Sequence, residues 1–161
     1  MFKSKAKVSF KGLTKFKKKL KTLEGSKVTV GYFAANKHPE IGITMSELAY
    51  LHENGGISSK GNNIPQRDFM TQSWENWVKG YAKSSTTKVV NDYLFNNKKI
   101  RDCLKEQGTE VKWMVNWTIE VGGDFVPNHP KTLAGKVGST PLMDSGYLKN
   151  NAVVKVTFNG K

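Results

Sequence analysis

Ser46-Glu47-Leu48-Ala49-Tyr50-Leu51-His52-Glu53-Asn54-Gly55-Gly56, followed by Ile64-Pro65-Gln66-Arg67-Asp68-Phe69, is the stretch on which the reading of this chain turns. Thr44 stands just before it, and Thr44-x-x-Glu47 has the spacing of a capping box, in which each side chain satisfies the other's free backbone N–H. Met45, Leu48, Ala49 and then Leu51 or His52 recur on one helical face, and Gly55 ends the helix. Residues 55–63 carry three glycines and are expected to form a flexible loop. Pro65 then directs the chain into a second helix, with Asp68 as its expected N-cap.

Upstream, Lys27 to Phe33 alternates, with Val28, Val30 and Tyr32 on one face, and predicts a half-buried strand. Residues 34–42 form a loop containing His38. Downstream, Phe69, Trp74, Trp77, Val78 and Tyr81 begin a helix whose centre, residues 83–88, is polar all round and either breaks or lies exposed. Apolar character resumes at Val89 and reaches Phe95, and Asn96-Asn97 makes a turn. From Ile100, the residues Cys103, Leu104, Gln107, Val111, Met114, Val115 and Ile119 hold one helical stripe for five turns. Gly108 lies beside that stripe and weakens a helix by about 1 kcal/mol relative to alanine. It therefore marks either a break or a close backbone contact. Trp113 and Trp117 flank the stripe and could cover a neighbour. Gly122-Gly123 ends the helix.

Residues 124–140 show no periodicity, and a long irregular segment in a small domain is usually functional or ordered by a partner. Asp144 is expected to cap a short turn at Ser145–Lys149. Residues 152–158 alternate and would pair with 27–33. The expected fold is α+β: a small, mostly antiparallel sheet packed by helices near 9–23, 45–54, 69–95 and 99–121. Residues 1–26 form a basic arm and amphipathic helix, and 27–161 a single domain.

The 161 residues carry a net charge of +13, unevenly spread. Residues 1–27 hold ten lysines and one acid, Glu24, a net +9. Lys3, Lys5 and Lys7 form a loose arm. From Ser9, Phe10, Leu13, Phe16, Leu20 and Leu23 recur at helical spacing, with Lys11, Lys15, Lys18 and Lys19 off the apolar stripe. Such a helix docks on the core with a solvated basic face, contacts DNA or an acidic partner, or lies on a membrane surface.

Several chemistries find no support in the residues. No apolar run approaches the roughly 20 residues needed to span a bilayer. The basic N-terminus lacks the apolar region of a secretory signal, so synthesis in the cytoplasm is expected. Cys103 is the only cysteine; it lies on the apolar stripe and is expected to be a buried, inert thiol. His52-Glu53 lacks a second histidine four residues on, where Gly56 stands, and His38, His52 and His129 make no set with metal-ligand spacing. A phosphate-cradling glycine loop and a Gly-x-Ser-x-Gly elbow are both missing. Neither an enzyme nor a cofactor is expected. Arginine is limited to Arg67 and Arg101, which disfavours a reader of base edges; non-specific nucleic-acid binding through the lysine-rich helix is the alternative reading.

The stretch 46–55 followed by 64–69 resembles a signature of tailed-bacteriophage neck and tail-completion proteins of the virion-morphogenesis type. There a helix reading (S/A)-x-L-A-x-(I/L)-H-E-x-G leads through a glycine-rich loop to I-P-x-R-x-F. The preceding Val30-Gly31-Tyr32-Phe33 is similar to the strand end of that family. Lys136 with Pro141-Leu142-Met143-Asp144-Ser145-Gly146-Tyr147-Leu148 resembles its C-terminal K-x-x-x-x-P-L-x-D-(S/T)-G-x-L. The match runs in order over about residues 27–158. Asn54 departs from it where an aromatic is common, and Asp68 where proline is common. The resemblance implies a structural virion subunit at the head–tail junction, forming a homo-oligomeric ring, a hexamer in this family, that touches neck or connector and tail-terminator or tail-tube proteins. It implies an interface made by His52, Glu53, Arg67, Phe69, Asp144 and Tyr147, with Arg67 making forked ion pairs across a subunit boundary. Lys11, Lys15, Lys18 and Lys19 then face channel DNA, dock on an acidic neighbour or stay in solvent.

Overall fold

The computed structural model describes residues 10–33, 37–58, 61–136 and 138–158. The chain is α+β. Helix α1 (Lys11–Glu24) leads into strand β1 (Ser26–Gly31), then α2 (Met45–Asn54) and a two-rung hairpin of β2 (Gly56–Ile57) and β3 (Asn63–Ile64). Helices α3 (Phe69–Gly80), α4 (Ala82–Leu94) and α5 (Ile100–Val121) follow, then the short α6 (Pro130–Ala134) and α7 (Tyr147–Asn150), and strand β4 (Val153–Phe158). The expected pairing holds: β1 and β4 form an antiparallel ribbon with Val28 opposite Val156 and Val30 opposite Val154. The expected arm at Lys3, Lys5 and Lys7 lies outside the described residues.

Helix α5 is the organising element. It packs against α3, α4, α7 and both strands of the ribbon. Its expected stripe is the one it buries: Cys103, Leu104, Met114, Val115 and Ile119 are all buried, joined by Gly108 and Thr118. Gly108 does not break the helix. It is where the ribbon lies down on it: a Cβ there would overlap the Val154 side chain and stand 2.8 Å from Val28 Cγ2. The missing side chain thus lets two strands approach a helix more closely than any other residue would allow.

Two apolar clusters result. One gathers Met45, Ala49, Phe69, Val115, Ile119, Leu148 and Ala152; the other gathers Val89, Cys103 and Leu104, with Leu23, Val28 and Val156 against them. Burial pushes the Cys103 thiol above its ordinary range, with Lys98 opposing, as expected of an inert core thiol.

Two expectations need correction, and a third resolves to one of its two stated outcomes. The long helix does break, but at Tyr81 (φ −128°), beside the poor helix former Gly80, not in the polar stretch 83–88. That stretch runs on as helix, exposed except for the buried Ser85. The loop after Gly55 is not wholly irregular, since β2 and β3 pair within it. Helix α1 buries no residue: Phe10, Leu13, Phe16 and Leu20 remain between 37% and 69% exposed. It meets the core through Leu23 alone of its apolar stripe, and the rest of that stripe is not docked as expected.

Candidate functional site

The two sequence stretches that carry the resemblance pack into one unit. The Thr44–Glu47 capping box forms as expected: Glu47 N–H donates to Thr44 Oγ1 (3.2 Å) and Thr44 N–H to Glu47 Oε2 (2.8 Å). The Thr44 hydroxyl (2.7 Å) and then its backbone N–H, both donating to Oε2, hold the Glu47 carboxyl below its usual range. At the far end, Gly55 adopts φ 72°, and a Cβ there would stand 2.9 Å from Gln66 N. Only glycine meets both demands. The chain then returns so that Arg67 N–H donates to the His52 carbonyl (2.7 Å).

Helix α3 is capped from outside itself. Glu53 Oε2 accepts from Met70 N–H (2.8 Å), and Oε1 accepts from Thr71 N–H (3.0 Å) and Thr71 Oγ1 (2.6 Å). A carboxylate on these free N–H groups also meets the positive end of the helix dipole, and such a cap is worth about 1 kcal/mol. Asp68, the expected cap, makes no capping bond; its Oδ1 accepts from Gln72 Nε2 (2.9 Å).

Arg67 ties the second stretch to the first. Only 6% exposed, it donates from Nε to Val126 O (3.0 Å) and from Nη2 to Pro127 O (3.4 Å) and Asn128 Oδ1 (3.2 Å). Asn128 Nδ2 donates in turn to Ser139 O (3.1 Å), and Lys136 Nζ to Thr140 O (2.7 Å). Leu142, Met143 and Leu148 complete the core around Met45 and Phe69. The Tyr32 hydroxyl donates to Leu148 O (2.9 Å), and its ring meets Phe69 edge-on at 6.0 Å. Residues 124–136 and 138–140 are therefore held by the chain itself, and include α6, with Pro130 in its first turn and His129 accepting from Lys131 N–H (3.2 Å).

His52 lies beneath this clamp, and its Nδ1 is buried with no hydrogen-bond partner among the described residues. Burial, then the charges of Arg67 and Lys136, push its pKa down to about 4. The folded protein thus holds His52 neutral where the unfolded chain, with a pKa near 6.5, takes up a proton. The stabilisation is complete above pH 6.5 and lost as pH falls toward 4. Urea unfolding is expected to show about 2 kcal/mol less stability at pH 5 than at pH 7.5, and most of that difference should vanish in His52→Gln. Equal acid sensitivity in the two proteins would refute the assignment.

The expected interface residues divide. Arg67 and Phe69 (0% exposed) belong to the interior of this chain, not to a surface facing a neighbour, because the core and the 126–128 carbonyls consume them. Arg67 makes its forked contact within the chain, to neutral acceptors, in place of an ion pair across a boundary. His52 and Glu53 are half-buried and serve the fold. Asp144 and Tyr147 are exposed, Tyr147 resting on His38 with ring centroids 5.0 Å apart. Asp144 does not cap α7; Gly146, with φ 74°, stands at the N-cap and no side chain bonds there.

Of the lysines, Lys19 is committed internally. Its Nζ donates to Tyr93 O (2.8 Å), Leu94 O (3.0 Å) and Asn97 Oδ1 (3.0 Å), closing the C-terminus of α4. Lys11, Lys15 and Lys18 are exposed and make no ion pair among the described residues.

Comparison with known protein families, with curated proteins and with solved structures finds no match. The chain's own geometry therefore carries its reading. Among the described residues no group of three or more His, Cys, Asp or Glu is placed to hold a metal ion, and no helix is long and apolar enough to cross a membrane. Beside Cys103 a gap of about 10 Å³, lined in part by Ser85, Val89 and Glu106, has room for about one water molecule.

Two helices carry exposed ridges, of which the sequence reading singled out only Trp113 and Trp117 as side chains that could cover a neighbour. Trp113, Trp117 and Val121 follow one another at four-residue spacing on α5, the two indoles stacked with centroids 6.5 Å apart. Trp74 and Val78 do the same on α3. The four-residue spacing was the available signal; what it cannot tell is whether a ridge meets its own chain.

Proposed function

We propose that the chain is a structural, ring-forming neck or tail-completion subunit that joins the head and tail of a tailed phage, residing in the virion at the head–tail junction. The observation that carries this reading is the union of its two signature stretches. Helix α2, the glycine turn and Arg67 from one, and Lys136 with Pro141 to Leu148 from the other, form a single packed unit. The signature then acts as a framework, not as a catalytic centre, and the proposal includes neither enzymatic chemistry nor a cofactor. The framework leaves large apolar side chains such as Trp74, Trp113 and Trp117 in solvent, and unpartnered aromatic surface marks protein interaction sites. Its partners are further copies of itself and the adjoining connector and tail proteins. Light scattering and negative-stain microscopy of the purified protein test this: closed rings of one size are expected. A strict monomer, alone and beside connector and tail-tube proteins, would overturn it.

A second reading has its own observation. Lys11, Lys15 and Lys18 project from α1 without ion-pair partners among the described residues, as a non-specific nucleic-acid contact requires. It calls for DNA binding that weakens steeply with salt, log K falling by about 0.9 per phosphate neutralised for each unit of log salt, and ignores sequence.

A further inference from the structure

Helix α1 presents an apolar ridge that nothing in the described chain covers. Leu13 (50% exposed), Phe16 (37%) and Leu20 (41%) stand three and four residues apart, which puts them on one face. Phe95, at the end of α4 and 66% exposed, extends the ridge, its ring centroid 6.4 Å from that of Phe16. The helix does not float. Lys19 bolts it to the α4 terminus and Leu23 packs on the second core cluster, so the ridge is held at a fixed place.

Charge decides what fits there. Lys17 lies four residues from Leu13 and three from Leu20, and Lys21 four beyond Lys17, so a lysine edge runs along the ridge. The whole of residues 1–27 has one acid against ten lysines. A second copy of α1 laid on the ridge would set two such blocks against each other. DNA would satisfy the lysines and leave the apolar side chains in water. The ridge is two turns long, the reach of one crossing helix; an anionic bilayer surface is the competing occupant, and vesicle binding distinguishes it.

We infer that α1, with Phe95, is the docking site for an acidic amphipathic helix of another protein, whose apolar side chains cover Leu13, Phe16 and Leu20 and whose carboxylates meet Lys17 and Lys21. The inference stands on this surface alone and does not rest on the neck reading. The lysines steer the encounter and the ridge supplies the apolar area.

The test uses the full chain and four probes followed by fluorescence anisotropy or co-sedimentation. These are a labelled helical peptide of leucine and glutamate heptads, the same peptide with lysine for glutamate, a short DNA duplex, and phosphatidylglycerol vesicles. Saturable binding of the acidic peptide, with none of the basic one, is expected. Leu13→Ser with Leu20→Ser should weaken it about tenfold or more, since the docked helix would then have only Phe16 and Phe95 left to cover. Lys17→Glu with Lys21→Glu should also weaken it and remove most of its salt dependence. All four positions are exposed, so melting temperatures should match the parent and separate lost docking from lost folding. No binding of the acidic peptide, equal binding of the basic one, or indifference to the leucine changes would overturn the inference. So would binding of DNA or vesicles in its place.

Discussion

Replacing Gly108 with alanine is expected to lower unfolding free energy by up to about 2 kcal/mol, although alanine is the better helix former. The helix gains about 1 kcal/mol from the substitution. Against that, the new methyl overlaps Val154 and lies 2.8 Å from Val28 Cγ2, both stiff β-branched side chains on a paired ribbon. Overpacking of this kind costs about 1–3 kcal/mol for a methyl, and steric strain outweighs propensity here because neither valine can swing aside without turning the ribbon. Gly108→Val should cost more than about 3 kcal/mol, or prevent folding. The discriminating experiment is a cycle: with Val154→Ala already present, Gly108→Ala should cost about 1 kcal/mol less than it does alone. A stabilised Gly108→Ala protein would show that the ribbon does not press on α5 as described.

Arg67→Met should cost about 3 kcal/mol and loosen residues 126–128 first. Methionine keeps the volume but leaves Val126 O, Pro127 O and Asn128 Oδ1 without their donor, at about 1–3 kcal/mol for each acceptor that cannot reach water. Arg67→Lys should rescue little, because one ammonium cannot replace a planar fork aimed at two places. Hydrogen exchange provides the local readout: faster exchange across 126–136, with α5 still protected, is the expected pattern. Stability within about 0.5 kcal/mol of the parent would show that the clamp is ornamental.

Contacts between near neighbours were legible in the sequence. The Thr44–Glu47 box, the α5 stripe and the alternation of the two ribbon strands all depend on side chains within four residues of one another or on a simple period. Glu53 was not legible in its role, because a cap delivered from a different helix has no spacing to betray it. Asp68 had the right residue type at the right place, yet Glu53 had already satisfied the N–H groups it would have taken. The exposed ridge of α1 was hidden for a related reason. Periodicity shows that a face is apolar, and only the fold tells whether its own chain has surface left to cover it. Arg67 was singled out correctly as important but assigned outward, since a buried arginine bonded to main-chain carbonyls leaves no complementary acid in the sequence to find.

The ribbon has a consequence for how the molecule comes to be made. Strand β1 ends at Gly31, but its only ladder partner among the described residues begins at Val153, and the helix both lie on is centred near Gly108. A ribosome emits Val28 and Val30 long before anything exists to shelter them. The nascent chain therefore carries an unpaired, valine-bearing strand through most of its synthesis, and a pairing so distant in sequence forms slowly once it can. The lysines massed around that strand and on α1 keep the waiting segment charged, and charge discourages edge-to-edge association. On this view the basic block guards the growing polypeptide before the finished protein has any use for it.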